Sequence, residues 1–284
     1  MPEPVLVTGA TGNTGTAVVA GLRARGSRVY PASRRPHPAD QDARVFDWAD
    51  ATTFGAALRG ATAIYLVAPA GHADPVSMVR PFLGLAAEQG VRRVVLLSSS
   101  AIERGEPGLG EIHDVIASKF PEATILRPSW FMQNFVGDHP VAHSIRESRE
   151  IVTATGTGRL GFIDANDIAA TAVDALLAPE PVGEELLLTG PESLSYADAA
   201  AILSDVLGYQ VRHVDVSPAE RAAQFTATGL SEEFAYVLAA LDGRISAGEQ
   251  DFVTTTVRDV TGRPPTSLRD FLAAQPLHEV HLRR

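Results

Sequence analysis

The segment Val5-Leu6-Val7-Thr8-Gly9-Ala10-Thr11-Gly12-Asn13-Thr14-Gly15 joins a short apolar strand to a glycine-spaced turn, and an amphipathic stretch from Ala17 to Leu22 follows before Arg23. In a G-x-x-G-x-x-G spacing, Gly9 makes a tight turn, Gly12 lets backbone approach a pyrophosphate, and Gly15 lets the helix pack against the strand. Free N–H groups at the helix start then face phosphate charge. Strand, turn and helix in this order read as a dinucleotide-binding junction, so Gly9, Thr11, Gly12, Asn13, Thr14 and Gly15 are the first cofactor-binding candidates.

The rest of the chain has the pattern such a junction needs. Strand-length apolar runs at 5–7, 28–32, 45–46, 64–67, 94–97 and 124–126 alternate with helical patterns at 14–25, 52–59 and 75–89. Alternation of this kind means a parallel sheet, and strands without polar alternation are covered by helices on both faces. The expected fold is α/β, a doubly wound Rossmann sheet with a smaller α/β C-terminal substrate lobe. Past Arg127 the grammar changes, with an aromatic cluster at Trp130-Phe131-Met132-Gln133-Asn134-Phe135 and a glycine-rich tract at 153–161. The expected division is a nucleotide domain over 1–128, to which 150–182 returns, and a substrate lobe over 129–149 and 183–284. Further elements are expected as a strand at 185–188, helices at 168–177 and 196–207, a strand at 211–214, one or two helices over 218–247, and a last helix at 268–273.

At 284 residues and 45% hydrophobic, the chain can bury a large core, and a formal charge of −10 disfavours nucleic acid and anionic membrane. No apolar run approaches the ~20 residues that span a bilayer, so cytoplasmic residence is the default expectation. Without cysteine there is no thiolate nucleophile and no cysteine-ligated metal. The expected partner is a small-molecule substrate, with no nucleic acid or membrane, and the chain acts as a monomer or homodimer.

Which dinucleotide binds is read after the second strand. An acid there bonds the ribose 2′-hydroxyl of NAD, whereas the 2′-phosphate of NADP needs positive charge. The residues are Ala32-Ser33-Arg34-Arg35. Ser33 can donate a hydrogen bond and Arg34 offers a planar, permanent charge, so NADP(H) is the expected cofactor unless both arginines simply face solvent. Asp47 and Trp48, after the third strand, meet the adenine edge and face, or Trp48 joins the core.

The order of these motifs, with Val94-Val95-Leu96-Leu97-Ser98-Ser99, Leu126-Arg127-Pro128-Ser129-Trp130-Phe131 and Leu188-Thr189-Gly190-Pro191, resembles the NmrA-like, atypical branch of the short-chain dehydrogenase/reductase superfamily. Within it, the sequence is most similar to the ergot-alkaloid agroclavine dehydrogenase group and its bacterial relatives. The resemblance implies that Val67, Ala68 and Pro69 line the cofactor, that Ser98 or Ser99 lies near the nicotinamide, and that Pro128, Ser129 and Phe131 approach its carboxamide. It implies an NADPH-dependent oxidoreductase of specialised metabolism, with two alternatives in the same branch: a non-catalytic redox sensor, or an enzyme coupling aromatic polyketide units.

The usual proton relay of these reductases, Tyr-x-x-x-Lys, is missing. None of the five tyrosines has a lysine four residues later, and the sole lysine, Lys119, follows Val115 at that spacing. His113 stands in the corresponding segment and is the candidate acid/base, since imidazole titrates near neutrality; its alternative is a packing role. An iminium ion needs no proton donor after hydride addition, and a quinone or enone delocalises the resulting oxyanion. Trp130, Met132, Gln133, Asn134 and Phe135 suit a flat aromatic substrate, or form core. His139 and His143 lack an H-E-x-x-H context, so no metal is expected, and no G-x-S-x-G elbow supports hydrolysis.

Overall fold

The computed structural model describes residues 4–69, 71–72 and 74–276. Residues 277–284, the end of the lobe expected over 183–284, lie outside them. The elements run β1 (Val5–Val7), α1 (Asn13–Ala24), β2 (Val29–Ser33), β3 (Arg44–Val45), α2 (Phe54–Leu58), β4 (Ala63–Val67), α3 (Pro75–Glu88), β5 (Arg93–Leu97), α4 (Leu109–Lys119) and β6 (Glu122–Pro128). They continue with α5 (Pro140–Ser148), β7 (Glu150–Thr153), β8 (Arg159–Leu160), α6 (Ala165–Leu177), β9 (Glu185–Leu188), β10 (Leu194–Ser195) and α7 (Tyr196–Leu207). The remainder is β11 (Arg212–Asp215), α8 (Pro218–Ala227), α9 (Glu232–Ser246), α10 (Thr256–Thr261) and α11 (Leu268–Ala273).

Seven strands form one sheet in the order β3-β2-β1-β4-β5-β6-β9, with β1 parallel to both β2 and β4. The chain therefore reverses direction across the sheet between β1 and β4. Because crossovers are right-handed, the two halves place their helices on opposite faces, the doubly wound Rossmann arrangement. Ligands of such sheets bind beyond the carboxyl ends of the strands at that reversal.

The chain divides into two compact units. Among the described residues, the first lies within 1–128, 165–187 and 256–262, and the second within 129–164, 188–255 and 263–284. Residues 150–164, which the sequence reading joins to the nucleotide domain, thus lie in the second unit. The reason is pairing: β7 runs parallel to β11, with Ile151 opposite His213, and β8 pairs antiparallel with β10. In the other direction, residues 183–187 and the short helix α10 belong to the first unit.

Two close contacts define the first unit. A Cβ on Gly15 would stand 2.1 Å from the Gly9 carbonyl oxygen, so the first turn of α1 lies directly against the turn that follows β1. Across the sheet, the guanidinium of Arg93, 7% exposed, donates to the carbonyls of Leu176 at 2.8 Å and Ala178 at 2.6 Å and pairs with Glu122 at 2.6 Å. Arg93 satisfies the last carbonyls of α6, which a helix cannot satisfy itself. The second unit is centred on Phe135, Phe162 and Tyr196, whose rings meet edge to face at 5.1 to 6.2 Å between centroids. No described helix is long and apolar enough to cross a membrane.

Gly15→Ala should lower stability by about 1–3 kcal/mol, since the added methyl meets backbone and forces the turn open. Gly84→Ala in α3, where an added Cβ meets nothing within 4 Å, should instead be neutral or gain up to about 1 kcal/mol. Arg93→Met should cost about 3–5 kcal/mol by leaving the carbonyls at the end of α6 without their donor and Glu122 with only the more distant Arg92. Urea unfolding followed by circular dichroism checks all three.

Candidate functional site

The site is built where β1, β2 and β4 end. From β1 the chain enters the turn at Gly9, which has φ +61°, in the left-handed region that glycine adopts without cost. Thr8 ties this edge together: its hydroxyl accepts from Val67 N at 2.7 Å, and its backbone N donates to the Tyr65 carbonyl at 3.0 Å. α1 then begins at Asn13 with Gly12 as its N-cap, and no side chain caps it. The first-turn N–H groups therefore keep the partial positive charge that an anion can use.

A cavity of about 510 Å³ opens at this edge, lined by Gly9, Thr11, Ser33, Arg34, Asp47, Trp48 and the Val67-Ala68-Pro69 run. These residues come from the ends of β1, β2, β3 and β4, which is why scattered sequence positions converge. Gly12 and Asn13 are exposed beside it, while Thr14 and Gly15 are buried in the first turn of α1. Further lining comes from Ala32, Phe46, Ala49, His72 and Met78, which the sequence reading did not give as site residues. Ala32 and Phe46 adjoin quoted motifs. His72 and Met78 follow β4 in a loop and a helix turn with no motif to mark them.

Trp48 packs with the core and also lines the cavity. Its ring lies edge to face against Phe46, Phe54 and Phe82 at 4.8, 6.0 and 5.3 Å. Asp47 accepts from Ala49 N at 3.0 Å. Arg34 and Arg35 are exposed and pair with no described carboxylate, whereas Arg23, Arg25 and Arg28 each hold an aspartate. With Thr11, Ser33 and Asp47, the two free guanidinium groups bound a second recess of the same region.

This geometry fits a dinucleotide phosphate. The uncapped helix end and the side-chain-free glycines suit a pyrophosphate, the wall of Trp48 an adenine face, and the free charge of Arg34 a further phosphate.

Beyond the reversal, β5 ends at Leu97, which pairs with Val67 of β4, and Ser98 follows at once. Its hydroxyl lies 2.7 Å from Nε2 of His113, which α4 buries to 1% exposure. Nδ1 of the same ring is buried without a hydrogen-bond partner. Burial is the main cause that lowers the His113 pKa below its ordinary 6.5; Glu185 and Asp114 act upward, Arg127 and Arg104 downward. Ser99 accepts from Ala101 N at 3.2 Å, and Pro128 is the last residue of β6.

Ser129 and the aromatic run fall in the second unit. There Met132 and Phe135 are packed in the apolar core, Trp130 lies partly buried against it, and the Ser129 hydroxyl is buried without a partner. Phe131 bridges to Ile163, Gln133 donates to Asp164 at 2.7 Å, and Asn134 N bonds the Phe131 carbonyl. His139 caps α5 by accepting from Val141 N, and His143 contacts Asp138 at 2.6 Å.

Comparison with known proteins agrees with this geometry. The sequence profile of a family described as NAD(P)H-binding matches residues 9–179. The chain is 45% identical over 275 residues to the uncharacterized oxidoreductase YesF of Bacillus subtilis, covering 96% of this chain and 95% of that protein. It is 36% identical over 282 residues to agroclavine dehydrogenase of Claviceps fusiformis, covering 95% and 96%. In fold it is similar to the NADPH-dependent quinone oxidoreductase QOR2 of Escherichia coli complexed with NADPH, with a TM-score of 0.80 at 23% identity over 95% of this chain and 98% of that one. A junction built for a dinucleotide, a profile that spans it, and likeness along nearly the whole chain together place the protein in the NAD(P)H-binding family.

Proposed function

We propose that the chain is an NADPH-dependent oxidoreductase that delivers hydride to a small aromatic or polycyclic electrophile, an iminium, quinone or enone. The observation that carries this reading is the cavity at the end of β1, β2 and β4, where an uncapped helix start and the unpaired Arg34 share one lining. Arg23, Arg25 and Arg28 are each held by an aspartate, so Arg34 and Arg35 are the charges left for a 2′-phosphate, and of the two Arg34 also lines the cavity. The likeness to named dehydrogenases and oxidoreductases supports the reaction type.

The bound nicotinamide supplies the hydride; the chain's residues hold and orient what surrounds it. Gly9, Gly12 and the start of α1 would hold the pyrophosphate, Ser33 and Arg34 would select the phosphorylated ribose, and Val67, Ala68 and Pro69 would give the cofactor an apolar wall. Trp130, Gln133 and Asn134, only partly buried, are the residues of the aromatic run left to meet substrate. No tyrosine-lysine pair delivers a proton, which favours substrates that are already electrophilic or that delocalise the charge they receive.

Arg34→Ala should raise the Kd for NADPH by about tenfold or more while moving the Kd for NADH by about twofold at most, because only the 2′-phosphate is lost as a partner. The loss should shrink as ionic strength rises, since Arg34 is exposed. Isothermal titration calorimetry with both nucleotides at two salt concentrations tests it. Failure of NADPH to bind the folded wild type, or an equal loss for both nucleotides in the variant, would overturn the NADPH assignment.

A further inference from the structure

We propose that α9 is a self-association surface, through which two copies of this chain pair their α9 helices antiparallel about a two-fold axis level with Leu238 and Ala239. The proposal is independent of the cofactor reading and concerns the second unit alone.

One face of α9 is committed to its own unit. Ala235, Ala239, Asp242 and Ile245 are buried; the Asp242 carboxylate accepts from Ala154 N at 2.9 Å, and the Ile245 carbonyl lies against Gly158 with no room for a side chain between them. At about 100° per residue, Glu233, Val237, Ala240 and Arg244 lie along the opposite side, with Tyr236 and Leu241 flanking them. Their spacing of four, three and four residues is the stripe by which paired helices interlock.

This stripe is apolar in its middle and open to solvent. Tyr236 is 57% exposed and Val237 52%, two neighbours among the four large apolar side chains so exposed in the described residues. Ala240 is exposed beside them and Leu241 is half-buried. The recess at the far end of the helix is lined by Gly243, Ser246 and Ala247 and does not include them. An apolar strip on a convex helix face suits another protein surface better than a small molecule.

The charges decide which surface covers it. The stripe opens at Glu233, beside Glu232, and closes at Arg244, whose Nε donates to Glu249 at 2.7 Å. Acid, apolar, apolar, base is a sequence that complements itself when reversed. In an antiparallel pair Glu233 meets the partner's Arg244 and Val237 packs on the partner's Ala240, and symmetry repeats both contacts, as an isologous interface requires. The small Ala240 lets the helices approach. Tyr236 closes one flank and Leu241 the other. A parallel pair would instead set acid on acid and base on base, and an anionic membrane would be repelled by Glu232, Glu233 and the net charge of −10.

A helix of 15 residues is about 22 Å long, so the pair buries less than the ~1,600 Å² of a standard interface. Association is therefore reversible, with a Kd on the order of 10 µM. The exposed end pairs set direction more than strength.

Sedimentation velocity of the full chain over roughly 1–200 µM should show the mass rising from monomer toward dimer. Val237→Glu should weaken association by about tenfold or more, and Glu233→Arg and Arg244→Glu should each do so alone by setting like charges across the axis. Mixed one to one, those two charge variants should recover association close to wild type, because every end contact then joins an acid to a base. A wild type that stays monomeric throughout, a dimer that Val237→Glu leaves intact, or a mixture that associates no better than either charge variant alone would overturn the proposal. Far-UV circular dichroism of each variant, expected to match the wild type because the substituted side chains face away from Ala235 and Asp242, separates lost association from lost fold.

Discussion

Backbone meets backbone where α1 begins, and the nucleotide cavity depends on that meeting. Gly15 lies so close to the Gly9 carbonyl that no side chain fits between them. The contact aims the start of α1 at the space beyond β1, leaves its first N–H groups uncapped, and brings the turn against Val67 of the neighbouring strand. A side chain at Gly15 would therefore disturb helix direction, anion site and cavity wall together. The three glycines are needed for different reasons, and at Gly15 the reason is lack of room.

Charge is distributed with the same economy. The chain is acidic overall, and its arginines near the first sheet edge are mostly consumed by aspartates: Arg23 by Asp40, Arg25 by Asp174, Arg28 by Asp42. Such exposed pairs contribute little to stability. Their effect on recognition is larger, because they leave the uncommitted charge of Arg34 and Arg35 concentrated at the cavity. On the other half of the sheet, two buried arginines are structural. Arg93 ends α6, and Arg127 binds Glu103, Glu185 and the Ser100 carbonyl behind His113.

Local patterns were the most legible. The strands Val5–Val7 and Glu185–Leu188 and the helices Tyr196–Leu207 and Leu268–Ala273 lie where apolar spacing and capping residues place them. The span 218–247 resolves into two helices because Gly229, with φ +95°, breaks it and Ser231 caps the second. Long-range pairing was not legible. Nothing local in Glu150–Thr153 says that it will run beside Arg212–Asp215 instead of joining the large sheet. The same limit applies to the site: His113 could be named from its place in the chain, but its hydrogen bond to Ser98, fifteen positions away, depends on how α4 lies over β5. Likewise, sequence shows that Arg34 is present but not that it is unpaired.

The first unit is assembled from three separated stretches of chain, and this bears on its birth at the ribosome. All the residues lining the cavity precede position 79, so its walls are synthesised early. Yet the carbonyls that receive Arg93 belong to α6, and the edge strand β9 comes later still, after the whole aromatic segment of the other unit has emerged. Until then the buried guanidinium has only Glu122 to meet. A gene fragment ending at Pro128 would encode every residue that lines this cavity and lack the helix that Arg93 holds against the sheet.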